Sequence, residues 1–297
     1  MNKGVFYMIL SGICFAVINF FVKILGAGPE QDLVEGIQHY PGHELVLARS
    51  IVSFTISFSI LKYRRLPIFG NNKKWLIIRG IAGTTALTIF FYTIQHLPLA
   101  VATTVQYLAP IFTLIFAMIL LKEKVRTSQW LFIGMAFLGI SLIAYDRLFL
   151  SDLSQDNVSL LWIGLGMLSA VFSGIAYTAI IKLKQTDAPL TIVMYFPMVA
   201  IPMMTILCIW DFTMPRGIEW LFLLTIGIFT QFAQILMTKA LHLGSAAVIV
   251  PIKYLGAIYA FLIGFFMFGE TLSILVDIGI LIAMLSVLIN AIIRQRK

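Results

Sequence analysis

Residues 91–124 read FYTIQHLPLAVATTVQYLAPIFTLIFAMILLKEK, and residues 236–271 read LMTKALHLGSAAVIVPIKYLGAIYAFLIGFFMFGET. The two stretches are versions of one hairpin, and each runs on into a further apolar segment, to about residues 145 and 290. His96-Leu97 matches His242-Leu243, Tyr107-Leu108 matches Tyr254-Leu255, and Glu123 matches Glu270. The offset moves from 146 to 147, so one residue is inserted near Pro251. Self-similarity at this distance means that the chain is a duplicated unit.

Working outward, 60% of the 297 residues are hydrophobic and only 11% are charged. A soluble chain carries roughly 25% charged residues, so lipid must solvate most of this one. A membrane-crossing helix needs about 20 mainly apolar residues. Ten such segments are expected, at about 4–25, 43–61, 73–95, 98–121, 127–145, 160–182, 190–210, 218–241, 245–267 and 273–293. They leave no room for a soluble domain. Their apolar residues do not alternate with polar ones, as the strands of a closed barrel would require. The fold class expected is all-α and polytopic. The apolar run after Met1-Asn2-Lys3 is of full spanning length, so it reads as the first span and not as a cleaved leader.

The net charge of +8 is distributed with one bias. With the N-terminus in the cytoplasm, 16 of the 21 Lys and Arg fall inside: Lys3, the stretch 62–79, the stretch 122–126, Lys182, Lys184, Lys239 and the C-terminal 294–297. Only Arg147 and Arg216 fall outside, and Lys23, Arg49 and Lys253 lie within helices. This is the positive-inside pattern, and it accounts for the charge without nucleic acid. Ten spans then put both termini in the cytoplasm of a multi-pass protein of the inner or plasma membrane. Five helices per half is an odd number, so residues 1–146 and 160–297 are expected as two five-helix repeats of opposite orientation. Lys122-Glu123-Lys124-Val125-Arg126 in the first repeat becomes Gly269-Glu270-Thr271-Leu272-Ser273 in the second. The cations are lost and the glutamate is kept, as expected for a copy that faces out.

An ionised side chain near the bilayer centre costs at least about 2.5–3.5 kcal/mol, so each such residue is a candidate for function. Lys253 lies eight residues into the ninth segment, about 12 Å deep at 1.5 Å per residue. Pro251, two residues earlier, breaks the helix beside it. Lys253 is expected to meet a negative group of a solute; the competing expectation pairs it with Asp277. Arg49 lies about 9 Å in from the end of the second segment. It either clamps an acid bidentately or pairs with Glu44. Arg79 reads as an anchor at the cytoplasmic interface or a gate. Glu44 and Asp277 are the carboxylates placed for gating or proton coupling. Asn19, Gln106, Tyr107, Gln231, Gln234 and Tyr254 sit at mid-depth, where they line a wet cavity or bond helices together. The repeat pairs Thr85 with Gln231 and Thr88 with Gln234. Cys14 and Cys208 lie within apolar runs and read as small core residues. The histidines lack ligand spacing, so no metal and no cofactor are expected.

The ten helices in two repeats resemble the drug/metabolite transporter superfamily, and within it the EamA-type permeases. Leu97-Pro98-Leu99-Ala100, Ala109-Pro110, Glu123, Glu44 through Ala48-Arg49-Ser50 and Arg79-Gly80 carry the resemblance. It implies alternating access through a central cavity, commonly for export. Inverted repeats around a mid-membrane site are a recurrent carrier plan. The expected function is a secondary carrier for a small organic metabolite, anionic on account of Lys253 and Arg49. Export of an amino acid, another zwitterion or a drug is the alternative. The partners are lipid and solute, with a monomer or a homodimer. An intramembrane enzyme is disfavoured, because His43-Glu44 has no second histidine and no GxSxG occurs. A channel lacks its filter loop. No GxxxxGK[ST] is present to bind ATP.

Overall fold

The computed structural model describes residues 3–26, 36–121, 156–243, 255–270 and 272–295, with isolated positions between 131 and 146 and at 252. Among the described residues every regular element is a helix. In chain order these are α1 Lys3–Gly26, α2 Gly42–Tyr63, α3 Lys73–His96, α4 Leu99–Gln106 and α5 Ala109–Leu121. They continue with α6 Asp156–Leu183, α7 Pro189–Cys208, α8 Glu219–Leu243, α9 Leu255–Phe268 and α10 Ile274–Gln295.

Among the described residues, seven segments are long and apolar enough to cross a bilayer: Lys3–Gly26, Gly42–Tyr63, Lys73–His96, Leu99–Leu120, Leu160–Leu183, Pro189–Cys208 and Glu219–Leu243. Shorter apolar helices cover Ile258–Phe268 and Ile274–Ser286. The expected fifth span lies mostly outside the described residues, though its described positions are helical. Most of residues 245–254 also lies outside them. Large side chains such as Leu221, Phe232 and Phe266 are exposed on the helix flanks. Hydrocarbon can cover them there, and the helical backbone keeps its own polar groups satisfied.

One expected helix is two. The segment 98–121 breaks after Gln106, where the N–H of Tyr107 returns to Thr103 at 3.0 Å and that of Leu108 to Val105 at 3.1 Å. Pro110 has no N–H to give to the Gln106 carbonyl, and its ring pushes that carbonyl aside. The break turns Gln106 and Tyr107 towards the interior. In the second hairpin α9 begins at Leu255, the partner of Leu108 in the repeat.

The helices pack in matched pairs. α1 lies along α8 and α3 along α6; α2 contacts α8 and α3 contacts α7; α1 meets α9 and α5 meets α6. α2 and α7, and α4 and α9, also meet each other. The core runs between them through Ile18, Val22, Leu25, Leu45, Phe91, Ile94 and Leu97.

Polar contacts tie the bundle at both ends. At one end Glu219 accepts the Tyr40 hydroxyl at 2.5 Å, the Gln38 N–H at 2.7 Å and the Arg216 N–H at 2.6 Å. Burial and the Glu219 carboxylate push the Tyr40 phenol above the usual tyrosine range. At the same end His43 Nδ1 meets the Tyr92 hydroxyl at 2.6 Å and Nε2 meets the Asp211 carbonyl at 2.9 Å. The Nε2–H tautomer satisfies both. At the other end Asp187 accepts the Asn71 N–H at 2.5 Å, while Thr191 and Tyr195 donate to the carbonyls of Pro67 and Phe69 at 2.8 and 2.6 Å.

Candidate functional site

A cavity of about 1070 Å³, counting its open mouth, sits at mid-depth between α1, α2, α3, the α4–α5 break, α6, α7 and α8. Helical spacing decides what faces it. On α3 the lining residues are Arg79, Gly83, Leu87, Phe90 and Phe91, steps of three and four that keep one face. On α1 they run from Met8 through Ser11, Gly12, Phe15 and Ile18 to Asn19.

Two guanidinium groups dominate the electrostatics. Arg49 is 1% exposed and Arg79 is 3% exposed. The Arg49 Cζ stands 5.6 Å from the Phe91 ring centre and 5.2 Å from that of Phe196, and the Arg79 Cζ is 5.4 Å from Phe196. Both cations therefore share one aromatic ring on α7. Arg79 Nη2 donates to Gln234 Oε1 at 3.3 Å. Among the described residues, Arg49 Nε and Nη2 and Arg79 Nε are buried without a hydrogen-bond partner. Among the described residues no carboxylate pairs with either arginine; the one ion pair there joins Lys23 and Glu270. Gly83 is required by this arrangement, since a Cβ there would overlap the Arg79 guanidinium and stand 3.0 Å from the Phe196 ring.

Neutral groups complete the wall. Gln106 is fixed by α6: its Nε2 donates to Ser173 at 2.7 Å and its Oε1 accepts from Ser169 at 2.9 Å. Tyr107, Tyr177, Asn19 and Gln234 also line the space. The chamber thus offers two charged donors, amide and phenol groups, and aromatic faces. That combination can orient an acid group while holding an apolar or planar body.

Of the residues expected from sequence, Arg49, Arg79, Asn19, Gln106, Tyr107 and Gln234 come together here. Arg79 is buried on the cavity side, where α3 turns it inward along the Gly83 face. Gln231 is not among the lining residues. It lies buried between α8 and α2, where its Oε1 accepts from Ser53 at 2.5 Å and its Nε2 donates to Ser57 at 2.7 Å. Glu44 does not pair with Arg49; its Oε2 accepts the Thr213 N–H at 2.9 Å and closes a loop at the bundle end. Asp277 is exposed in the first turn of α10. Lys253 and Tyr254 lie outside the described residues.

Phe196 gave no signal in the sequence, being one aromatic among 24 phenylalanines. A second buried polar unit was only half visible. Lys23, 3% exposed, donates to the Leu97 carbonyl at 2.8 Å and meets Glu270 Oε1 at 3.5 Å. The Glu270 carboxylate also accepts the Leu99 N–H, at 3.0 and 2.8 Å to its two oxygens. The retained glutamate of the repeat and a lysine in an apolar run were the available signs.

The model of the EamA-like transporter family matches residues 2–145 and 160–292. The chain is 29% identical over 266 residues to the pseudopaline exporter CntI of Pseudomonas aeruginosa, covering 87% of this chain and 85% of that one. It is 30% identical over 279 residues to human solute carrier family 35 member G1, covering 90% of this chain and 73% of that one. A crystal structure at 15% identity overlays with a TM-score of 0.65 over 97% of this chain and 98% of that one, which speaks for the fold alone.

Proposed function

Since the chain belongs to the EamA-like transporter family, and so to the drug/metabolite transporters, we propose that it is a secondary carrier. It moves a small organic anion by alternating access, in the export direction. The observation that carries the anionic reading is the pair of buried guanidinium groups, Arg49 and Arg79, that face one cavity with no described acid between them. Two like charges in a low-dielectric chamber call for an anion. Lys253 and Tyr254 are assigned to the same site on sequence grounds, with Asn19, Gln106, Tyr107 and Gln234 around it. Glu44 and Asp277 retain a gating role only at the ends of the bundle. The export direction agrees with the name of the Pseudomonas relative.

The proposed halves, 1–146 and 160–297, are related by a two-fold axis in the membrane plane, with both termini cytoplasmic. The matched packing supports this. Exchanging helices 1, 2, 3 and 5 with 6, 7, 8 and 9 turns the α1–α8 contact into α6–α3, α2–α8 into α7–α3, and α1–α9 into α6–α5. Each of these contacts occurs.

A zwitterion is the second reading. Its acid group would meet the arginines, and its cationic part would rest on Tyr177 or Phe15, both on the cavity wall.

The test is a thermal-shift screen of metabolite acids on the purified chain, beside Arg49→Ala, Arg79→Ala and Lys253→Ala, followed by counterflow in proteoliposomes. A ligand stabilises its binder by mass action. The expected result is an acid that stabilises the wild type, loses that effect in the arginine variants and shows saturable counterflow. An ohmic current, or hits indifferent to both arginines, would overturn the proposal.

A further inference from the structure

The Lys23–Glu270 unit holds a carboxylate in a manner suited to a solute. An ammonium and the first N–H of a helix both point at it, and the positive end of α4 adds to the attraction. The carboxylate belongs to the chain itself, on the connection between α9 and α10. Its backbone is closed onto α9 by the bond from the Glu270 N–H to the Gly264 carbonyl at 3.0 Å. Gly264 leaves room for it, since a Cβ at that position would overlap the carboxylate. The side chain of Glu270 is 10% exposed and that of Lys23 is 4% exposed.

Register places this unit next to the cavity, one helical turn beyond its lining residues. Lys23 lies four residues beyond Asn19 on α1, and Leu99 lies four residues before Thr103 on α4. Asn19 and Thr103 both line the chamber. Residues four apart share a helix face, so the ammonium and the α4 N-terminus continue the cavity wall towards one end of the bundle. Glu270 reaches that wall from the second repeat, whereas its two partners come from the first.

We propose that Lys23 and the N-terminal N–H of α4 form a carboxylate subsite at this end of the cavity. Glu270 fills it when the end is shut, and an acid group of the transported solute fills it when Glu270 withdraws. Glu270 is then a built-in competitor: the solute's acid group takes over the partners that the gate gives up. The inference rests on the reading of the solute as an acid. It extends the path of that acid beyond Arg49 and Arg79, from the chamber to its mouth. Near this unit, Asp146 accepts the Ser273 hydroxyl at 2.5 Å and Asp277 is exposed, so neither competes for Lys23 in the described contacts.

Acetate is the probe, because it replaces the end of a glutamate side chain. The melting temperature of the full-length purified protein is measured with increasing sodium acetate against sodium chloride at equal ionic strength. Glu270→Ala empties the subsite, so its Tm is expected to fall and then to rise saturably with acetate, by about 3 °C at tenfold excess over the dissociation constant. Wild type and the double variant Lys23→Met/Glu270→Ala are expected to show no such rise. Glu270→Gln keeps the shape and an acceptor for Leu99; its acetate response is expected to exceed that of wild type and to vanish with Lys23→Met. It decides the matter if Glu270→Ala does not fold. The proposal is overturned if neither variant gains a response to acetate beyond that to chloride, or if the response survives loss of Lys23. This binding needs no transport, so its failure is distinct from failure of the acid screen at Arg49 and Arg79.

Discussion

Replacing Arg49 with methionine should separate binding from folding. The guanidinium touches two aromatic rings, at 5.6 and 5.2 Å, and meets no described acid. Losing those two cation–π contacts costs about 1–3 kcal/mol in a desolvated setting. The charge it removes also repels Arg79. Both charged carbons lie on Phe196, at 5.2 and 5.4 Å from its centre, so their separation does not exceed the sum of the two. At that largest separation and an effective dielectric of about 20, the repulsion is about 1.6 kcal/mol, and it is greater if the two charges lie closer. Methionine keeps an unbranched apolar stem against Phe91 and Phe196. The relieved repulsion offsets most of the loss, so Tm should not fall by more than about 4 °C below wild type. Binding should respond quite differently. Truncating one partner of a buried charge-assisted pair costs about 2–5 kcal/mol, roughly a 30-fold to several-thousand-fold loss of affinity. Arg49→Lys should recover only part of it, since an ammonium cannot chelate an acid through two parallel bonds. The assay is thermal denaturation alongside ligand titration and counterflow with the acid found in the screen. A destabilisation of 3–5 kcal/mol would mean that Arg49 has a structural acid partner, and affinity within about threefold of wild type would remove Arg49 from the solute site; either refutes the reasoning.

Gln231→Ala should lower stability by about 1–3 kcal/mol, because Ser53 and Ser57 lose their partner in a buried setting; ligand affinity, titrated on the same samples, should be unchanged. Asp277→Asn should shift stability by no more than about 0.5 kcal/mol, as expected for an exposed side chain. It should therefore fail to rescue Lys253→Met in transport, and rescue would support their pairing. Tyr40→Phe should flatten the alkaline limb of the stability profile. The Tyr40 pKa is raised on folding, so its contribution is complete below the unfolded value near 10 and is lost as pH climbs through the folded value. Thermal melts between pH 8 and 11 measure this, and equal slopes for variant and wild type would exclude Tyr40 as the source.

The sequence by itself determined the class of molecule. Scarce charge and spanning-length apolar runs leave no option but helices in lipid, because a bilayer forces every backbone group to be satisfied within its own segment. The duplication was legible because His96, Tyr107 and Glu123 recur in order as His242, Tyr254 and Glu270. Depth along a helix was also legible, so Asn19, Arg49, Gln106 and Gln234, which line the cavity, were placed at its level from their positions alone. Which way a side chain turns, and what waits there, belongs to the tertiary structure. Gln231 and Gln234 sit three residues apart on one helix, yet α2 takes the first with two serines and the cavity takes the second. For Arg79, rise per residue measures depth and says nothing of azimuth; only the structure shows that it faces Phe196 and the Gly83 side of α3. Phe196 could join the site only through the packing of α7 against α2 and α3. Lys23 and Glu270 lie 247 positions apart in the chain. Only the meeting of α1, α4 and α9 puts an ammonium, a helix end and a carboxylate in one place, since contacts across such separations depend on how whole helices pack and not on any local preference.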